Sequence, residues 1–177
     1  MHGFTARRVA LTSIAASSAL AASLALAGSA VAVAPATATA TYDCGSAGAG
    51  TVTLTAADSG GGKTIRIDSA DIRQQYPLKA NTVTATLKLK KTSGGAAGEV
   101  RFSGTAHAAA GTGDPISFGP LPLTTGSLSA GDTTDSAALA GAPDENNWSL
   151  KLTVNKPTGS FSSYCTATGN QSAAFTW

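Results

Sequence analysis

Thr82–Lys91 reads TVTATLKLKK. Val83, Ala85, Leu87 and Leu89 occupy every second position, and between them stand Thr84, Thr86, Lys88 and Lys90. Successive side chains of a strand point to opposite faces, so this stretch has one apolar and one polar face only if it is extended. At helical spacing the same four apolar residues would not share a face. The segment therefore predicts a half-buried β-strand.

The same alternation recurs on both sides. TVTLTA from Thr51 offers Val52 and Leu54, KTIRID offers Ile65 and Ile67, and EVRFSGTA offers Val100, Phe102 and Ala106. Further on, WSLKLTV offers Trp148, Leu150, Leu152 and Val154; FSSYCTA offers Phe161, Ser163, Cys165 and Ala167; and SAAFTW ends on Phe175 and Trp177. Glycine-rich turns such as DSGGGK, TSGGAAGE and AAGTGDP separate the runs. Short alternating strands at this spacing predict an all-β chain, here a single immunoglobulin-like β-sandwich of about 7–9 strands. Ile116–Leu123 is interrupted by Pro120 and Pro122 and preceded by Pro115, which predicts an edge or irregular strand. DSADIRQQYPLKAN lacks alternation and predicts one helical turn, capped by Asp68 or Ser69 and ended before Pro77. SAGDTTDSAALAGAPDENN, from Ser129, is the longest loop-like stretch and has room for one poor strand.

The first residues have a different character. Arg7 and Arg8 precede a mild apolar run from Val9 to Ala27, and small residues follow up to Ala38-Thr39-Ala40. That order is the layout of a secretory signal peptide. The expectation is a leader over 1–40 and a domain over 41–177, with Ala36-Thr37-Ala38 as a rival cleavage signal and Pro35 disfavouring a cut after Ala34. Thr12, Ser13, Ser17, Ser18 and Ser23 interrupt the apolar run, which argues against its retention as a spanning helix. Asp43 and Thr41 stand where a lipid-modified cysteine at 44 would need small and apolar residues. The chain should be secreted, extracellular or associated with the cell surface, without stable membrane insertion of its mature part.

The whole chain has 12 basic and 10 acidic residues, and Arg7 and Arg8 account for the excess. A balanced mature chain lacks the electrostatic footprint of a nucleic-acid binder. The two cysteines, Cys44 and Cys165, both follow the leader, and two thiols in an oxidising compartment are expected to pair. Two cysteines and the distant His107 lack metal-ligand spacing.

An immunoglobulin domain proper carries a tryptophan shortly after its first cysteine and a tyrosine two residues before its second. Here Trp148 is far from Cys44, position 163 is serine, and Tyr164 immediately precedes Cys165. The alanine-rich leader, YDC at Tyr42–Cys44, PLPLTTG, NWSLKLTV and the late SYC together resemble uncharacterised secreted β-sandwich proteins of actinobacteria. The resemblance spans most of the mature chain and implies an exported, immunoglobulin-like domain. It brings no catalytic residue with it.

Chemistry-bearing residues are few. His107, with Ser103 or Asp114 near it in sequence, is the one candidate general base after the leader, but no nucleophile elbow surrounds a serine. Glu99, Asp68, Asp71, Asp144 and Glu145 are candidates for a carboxylate pair, although Asp144-Glu145 reads first as a turn. GDTTDS, with Asp132 and Asp135, lacks the spacing of a calcium loop. LPLTTG at Leu121–Gly126 differs from a wall-sorting signal by one inserted residue. Ligand binding is assigned to Tyr164 and Tyr76, whose rings could stack on a sugar, and to Lys88 and Lys90, which could meet an anionic polymer. Trp148 and Trp177 are assigned to the core. The expected function is a non-enzymatic binding or structural module, with no catalytic residue, metal or cofactor. Its expected partners are cell-wall polymer, a glycan or another extracellular protein. An extracellular hydrolase and a protease inhibitor displaying SFGPLPLTTG are the alternatives.

Overall fold

The structure is a computed structural model that describes residues 32–60 and 62–177. Residues 1–31, which hold the charged and apolar parts of the expected leader, lie outside the described residues. Ten strands follow: β1 (Thr37–Asp43), β2 (Ala49–Asp58), β3 (Lys63–Arg73), β4 (Val83–Ser93), β5 (Ala96–Gly104), β6 (Pro115–Thr125), β7 (Thr133–Ser136), β8 (Leu150–Val154), β9 (Phe161–Ala167) and β10 (Phe175–Thr176). The one helical element among the described residues is a 3-10 turn at Gly45–Ala47. No described helix is long and apolar enough to cross a membrane.

The expected two-layer sandwich is not what forms. Following the hydrogen-bonded neighbours gives β4-β5-β6-β3-β2-β1-β9-β8, and β8 then pairs with β4 to close the ring. Eight antiparallel strands thus make a barrel, while β7 adds to β4 and β10 adds to β7. Two strands make the difference. β9 pairs with β8 on one side and β1 on the other, and β6 pairs with both β5 and β3. In a sandwich these would be edges. Alternation reports only which side of a strand is buried, and that side is the same for a sheet facing a second sheet and for a sheet closed on itself.

The core fills the barrel. Val52, Leu54, Ile65, Ile67, Val83, Ala85, Leu87, Leu89, Val100 and Phe102 are buried, as the alternation requires. Phe175 and Trp177 are buried with them, and Trp177 stacks on Phe102 at 5.5 Å. The outward row of β4 is Thr84, Thr86, Lys88 and Lys90, polar where a membrane-spanning barrel would present an apolar band. β7 lies within the long loop-like stretch, as the sequence suggests, and turns Thr134 and Ser136 inward. These two hydroxyls meet the polar ends of buried aromatics: Trp177 Nε1 donates to Thr134 Oγ1 at 2.9 Å, and the Tyr42 and Ser136 hydroxyls lie 3.2 Å apart. Burial, with a further push from the Asp135 carboxylate, raises the Tyr42 phenol to about 12.

Two local expectations are corrected. The helical turn near Asp68 and Ser69 is absent, because β3 continues through both residues to Arg73. Ser69 Oγ does accept from the backbone N–H groups of Asp71 and Ile72, as an N-cap would, but the bonds hold a bulge against β6. The proline-interrupted stretch is irregular, with two register shifts against β3, but it is not an edge: it is the interior strand β6. Its proline-bearing part, Pro115–Pro122, is in register with β3 alone, and pairing with β5 begins only at Leu123. The prolines therefore sit where an N–H toward β5 is not needed.

Candidate functional site

The antiparallel registers give the barrel two unlike ends. At one lie the β2–β3 and β4–β5 turns together with β7 and β10; there Lys63 pairs with Asp58 and Lys91 with Asp132. At the other end β1, β3 and β8 finish and β4, β6 and β9 begin. A hollow of about 60 Å³ opens at this second end. Its walls are Ile72 and Leu78, the first residue of β4 (Val83), and Leu152 and Val154 of β8, with Phe118 and the Cys44–Cys165 disulfide deeper in.

Tyr76 and Phe161 stand over the hollow as an edge-to-face pair, with centroids 6.5 Å apart and planes at 82°. Both are exposed, Tyr76 by 62% and Phe161 by 40%, and no other large hydrophobic residue among those described is exposed. Tyr76 sits on the β3–β4 connection, which is fastened to the β5–β6 connection by reciprocal backbone bonds between Leu78 and Ala110. Phe161 is the first residue of β9, where the inward row runs out past the end of the barrel. Two cations flank the opening. Lys156 Nζ lies 4.9 Å from the Phe161 ring centroid, and Arg73 lines the hollow while donating to Gly113 O at 3.1 Å.

The disulfide joins Cys44 and Cys165 across 121 residues, as expected from the sequence. β1 and β9 are in register for only two residue pairs, Tyr42 with Ala167 and Asp43 with Thr166. The covalent link thus lies beside the short seam between barrel neighbours β1 and β9. It also forms part of the wall of the hollow.

Of the sequence-assigned ligand residues, Tyr76 is at this opening and Tyr164 is not. Tyr164 is half-buried on the outer face of β9, opposite Lys151 in the ladder, and the Lys151 ammonium lies 5.9 Å from its ring. Lys88 folds over the Trp148 ring at 3.9 Å, and partial burial is the main cause lowering its pKa. Trp148 is accordingly half-exposed on the barrel exterior, not in the core. Lys90 is exposed, with Glu99 opposite it on β5 and Asp135 opposite it on β7. Lys91 is bound to Asp132, whose carboxyl is held well below the usual carboxylate range by that ammonium and by the backbone N–H of Ser129. The basic run is thus broken up by acids and by an indole.

His107 has both ring nitrogens engaged. Nε2 accepts the N–H of Val83 at 3.0 Å and Nδ1 donates to Ala108 O at 2.7 Å, with the ring packed edge-on to Phe118. This fixes the tautomer and leaves no nitrogen free to take a proton from a substrate. The carboxylates have partners too: Asp68 accepts from Ser117, Asp71 from the Thr51 N–H, Glu99 pairs with Arg101, and Asp144 accepts from Asn146 and Asn147 in a turn. Among the described residues no three His, Cys, Asp or Glu side chains are placed to hold a metal ion. SFGPLPLTTG, the stretch a protease inhibitor would display as a loop, is strand β6, paired to β3 and β5.

Phe161 continues the inward row of Cys165, as alternation places it, but it stands past the end of the barrel and is exposed. The signal that it leaves the core was its place beside the KPTGS turn, with Ser162 and Ser163 following. Compared with known proteins, the chain matches no protein-family model, no curated protein and no solved structure.

Proposed function

We propose that this chain is an exported, non-enzymatic binding module. Its ligand is an amphipathic molecule or side group of the cell surface or extracellular medium, with an apolar or aromatic end and an acidic head. The observation that carries the reading is the Tyr76–Phe161 pair, exposed together over an apolar hollow and flanked by Lys156 and Arg73. Single exposed apolar residues are ordinary, but apolar side chains clustered around an opening and rimmed by polar groups mark interaction sites. The hollow is small beside the roughly 300–1,000 Å³ of a preformed small-molecule pocket, so it suits the tip of a ligand whose remainder stays outside. The two cations favour a negative charge at the rim.

NMR titration of the disulfide-intact protein with anilinonaphthalene sulfonate and with hexanoate tests this. Saturable shifts at Tyr76, Phe161 and Val154 are expected with both probes. Phe161→Ala should weaken binding roughly tenfold, the effect of losing about 1.4 kcal/mol of contact. Lys156→Gln should weaken binding of the acids and not of a neutral aromatic probe. Binding of neutral glycans that is unaffected by Phe161→Ala, or shifts confined to Tyr164, would overturn the assignment.

A further inference from the structure

The residues just before Thr41 belong to the barrel. β1 begins at Thr37, and Ala38 and Ala40 are buried in its inward row with Tyr42. Thr37–Ala40 are in register with Val52–Thr55 of β2. Upstream, Ala36 O accepts the N–H of Ala56, and Ala34 exchanges two backbone bonds with Thr176 at 3.0 and 2.7 Å. Val33 is 93% buried against the same core, at 7% exposure. Ala32, one residue earlier, is exposed.

We infer that the leader is removed after Ala32, so that the mature chain begins at Val33. The inference rests on the reading of the leader as an export signal. A leader peptidase needs small side chains at the first and third positions before the cut, a condition that Ala32 and Ala30 meet. Ala38-Thr39-Ala40 meets it equally well, so local chemistry cannot choose between them. The fold can. A cut after Ala40 removes four of the seven β1–β2 register pairs, the inward side chains Val33, Ala38 and Ala40, and the link from Ala34 to the C-terminal strand. What would remain of β1 is Thr41–Asp43, and β2 would face water along Val52–Thr55 in place of a neighbour. A cut after Ala38 leaves the same gap two residues smaller. Cutting after Ala32 removes nothing that the described core uses.

The test is the intact mass and N-terminal sequence of the protein exported by a bacterial host carrying the full chain. A start at Val33 is expected. A start at Thr39 or Thr41 overturns the inference while leaving the export reading intact; a chain that keeps Met1 and the apolar run overturns both. Ala32→Arg, at an exposed position, should abolish the Val33 terminus and leave precursor in the cells. Unchanged processing of that variant would also count against the site. As a second measurement, the chain starting at Thr41 should unfold at markedly lower urea than the chain starting at Val33. Equal midpoints would remove the structural ground of the inference.

Discussion

Tyr42 carries two consequences at the scale of one residue. Its ring is fully buried with the Asp135 carboxylate nearby, so the folded state favours the neutral phenol, with the Ser136 hydroxyl beside it acting in the opposite direction. A phenol whose folded pKa of about 12 lies above its ordinary value of 10.0 contributes stability that is fully present below pH 10.0 and lost as pH rises toward about 12. Urea unfolding midpoints should therefore fall across that window. Tyr42→Phe should be about 1 kcal/mol less stable at neutral pH, having lost a buried hydrogen bond. Above pH 10 it should fall less steeply, and parallel curves for the two proteins would refute the assignment. His107 offers a second residue-level test. Its Nε2 satisfies the N–H that opens β4, so His107→Ala leaves that donor unpaired and should destabilise by about 1–2 kcal/mol. A thermal melt that does not move would show that the bond contributes nothing.

At the scale of the element, alternation identifies the buried rows of β4 and of the middles of β2, β3 and β5, because burial of one face is a local property of each strand; it runs on to Ala106 past the end of β5 and stops short of Ile72, which follows the bulge in β3. It failed where the determinant was not local. β6 carries prolines that argue for an edge, and along Pro115–Pro122 it does pair on one side only, yet the ring continues through its last residues. Extending the β8 pattern back by two residues places Trp148 in the core, but the strand begins only at Leu150. Ser69 gave a real capping signal, and the side chain does bond to the next N–H groups, but in a bulge. The cysteine pair was legible because it needs only compartment and count. Its structural task was not, since nothing in the sequence says that β1 and β9 are neighbours. Closing a loop of 121 residues is worth about 4–5 kcal/mol in the chain-entropy account, and here it backs a two-pair seam. Reduction should lower stability by up to about that amount. Hydrogen exchange should quicken first at Tyr42, Thr166 and Ala167; uniform loss of protection across the barrel would contradict a local role for the bond.

For the whole molecule, the two ends of the barrel are built from different chemistry, and separate stresses should open them. The end under β7 and β10 is held by Trp177 and Phe175 inside and by the Lys63–Asp58 and Lys91–Asp132 pairs outside. The other end holds an apolar hollow flanked by Arg73 and Lys156, carries the disulfide nearby and exposes Tyr76 and Phe161. Both Asp58 and Asp132 have carboxyl pKa values depressed from 3.8, chiefly by their lysine partners. Depressed carboxylates contribute stability that is present above the unfolded value and lost as pH falls through the folded one. Acid below pH 3.8 should thus loosen the ion-paired end while leaving the disulfide seam in place. Amide exchange, corrected for its intrinsic pH dependence, should show early opening of Thr133–Ser136 and Phe175–Thr176 in acid and of the β1–β9 seam on reduction. Asp132→Asn should reproduce the acid pattern at neutral pH and leave ligand shifts at Tyr76 and Phe161 unchanged, because the site lies at the far end of the barrel. Loss of those shifts in Asp132→Asn would mean that the two ends are coupled through the core, and that the end proposed to bind is not an independent unit of this fold.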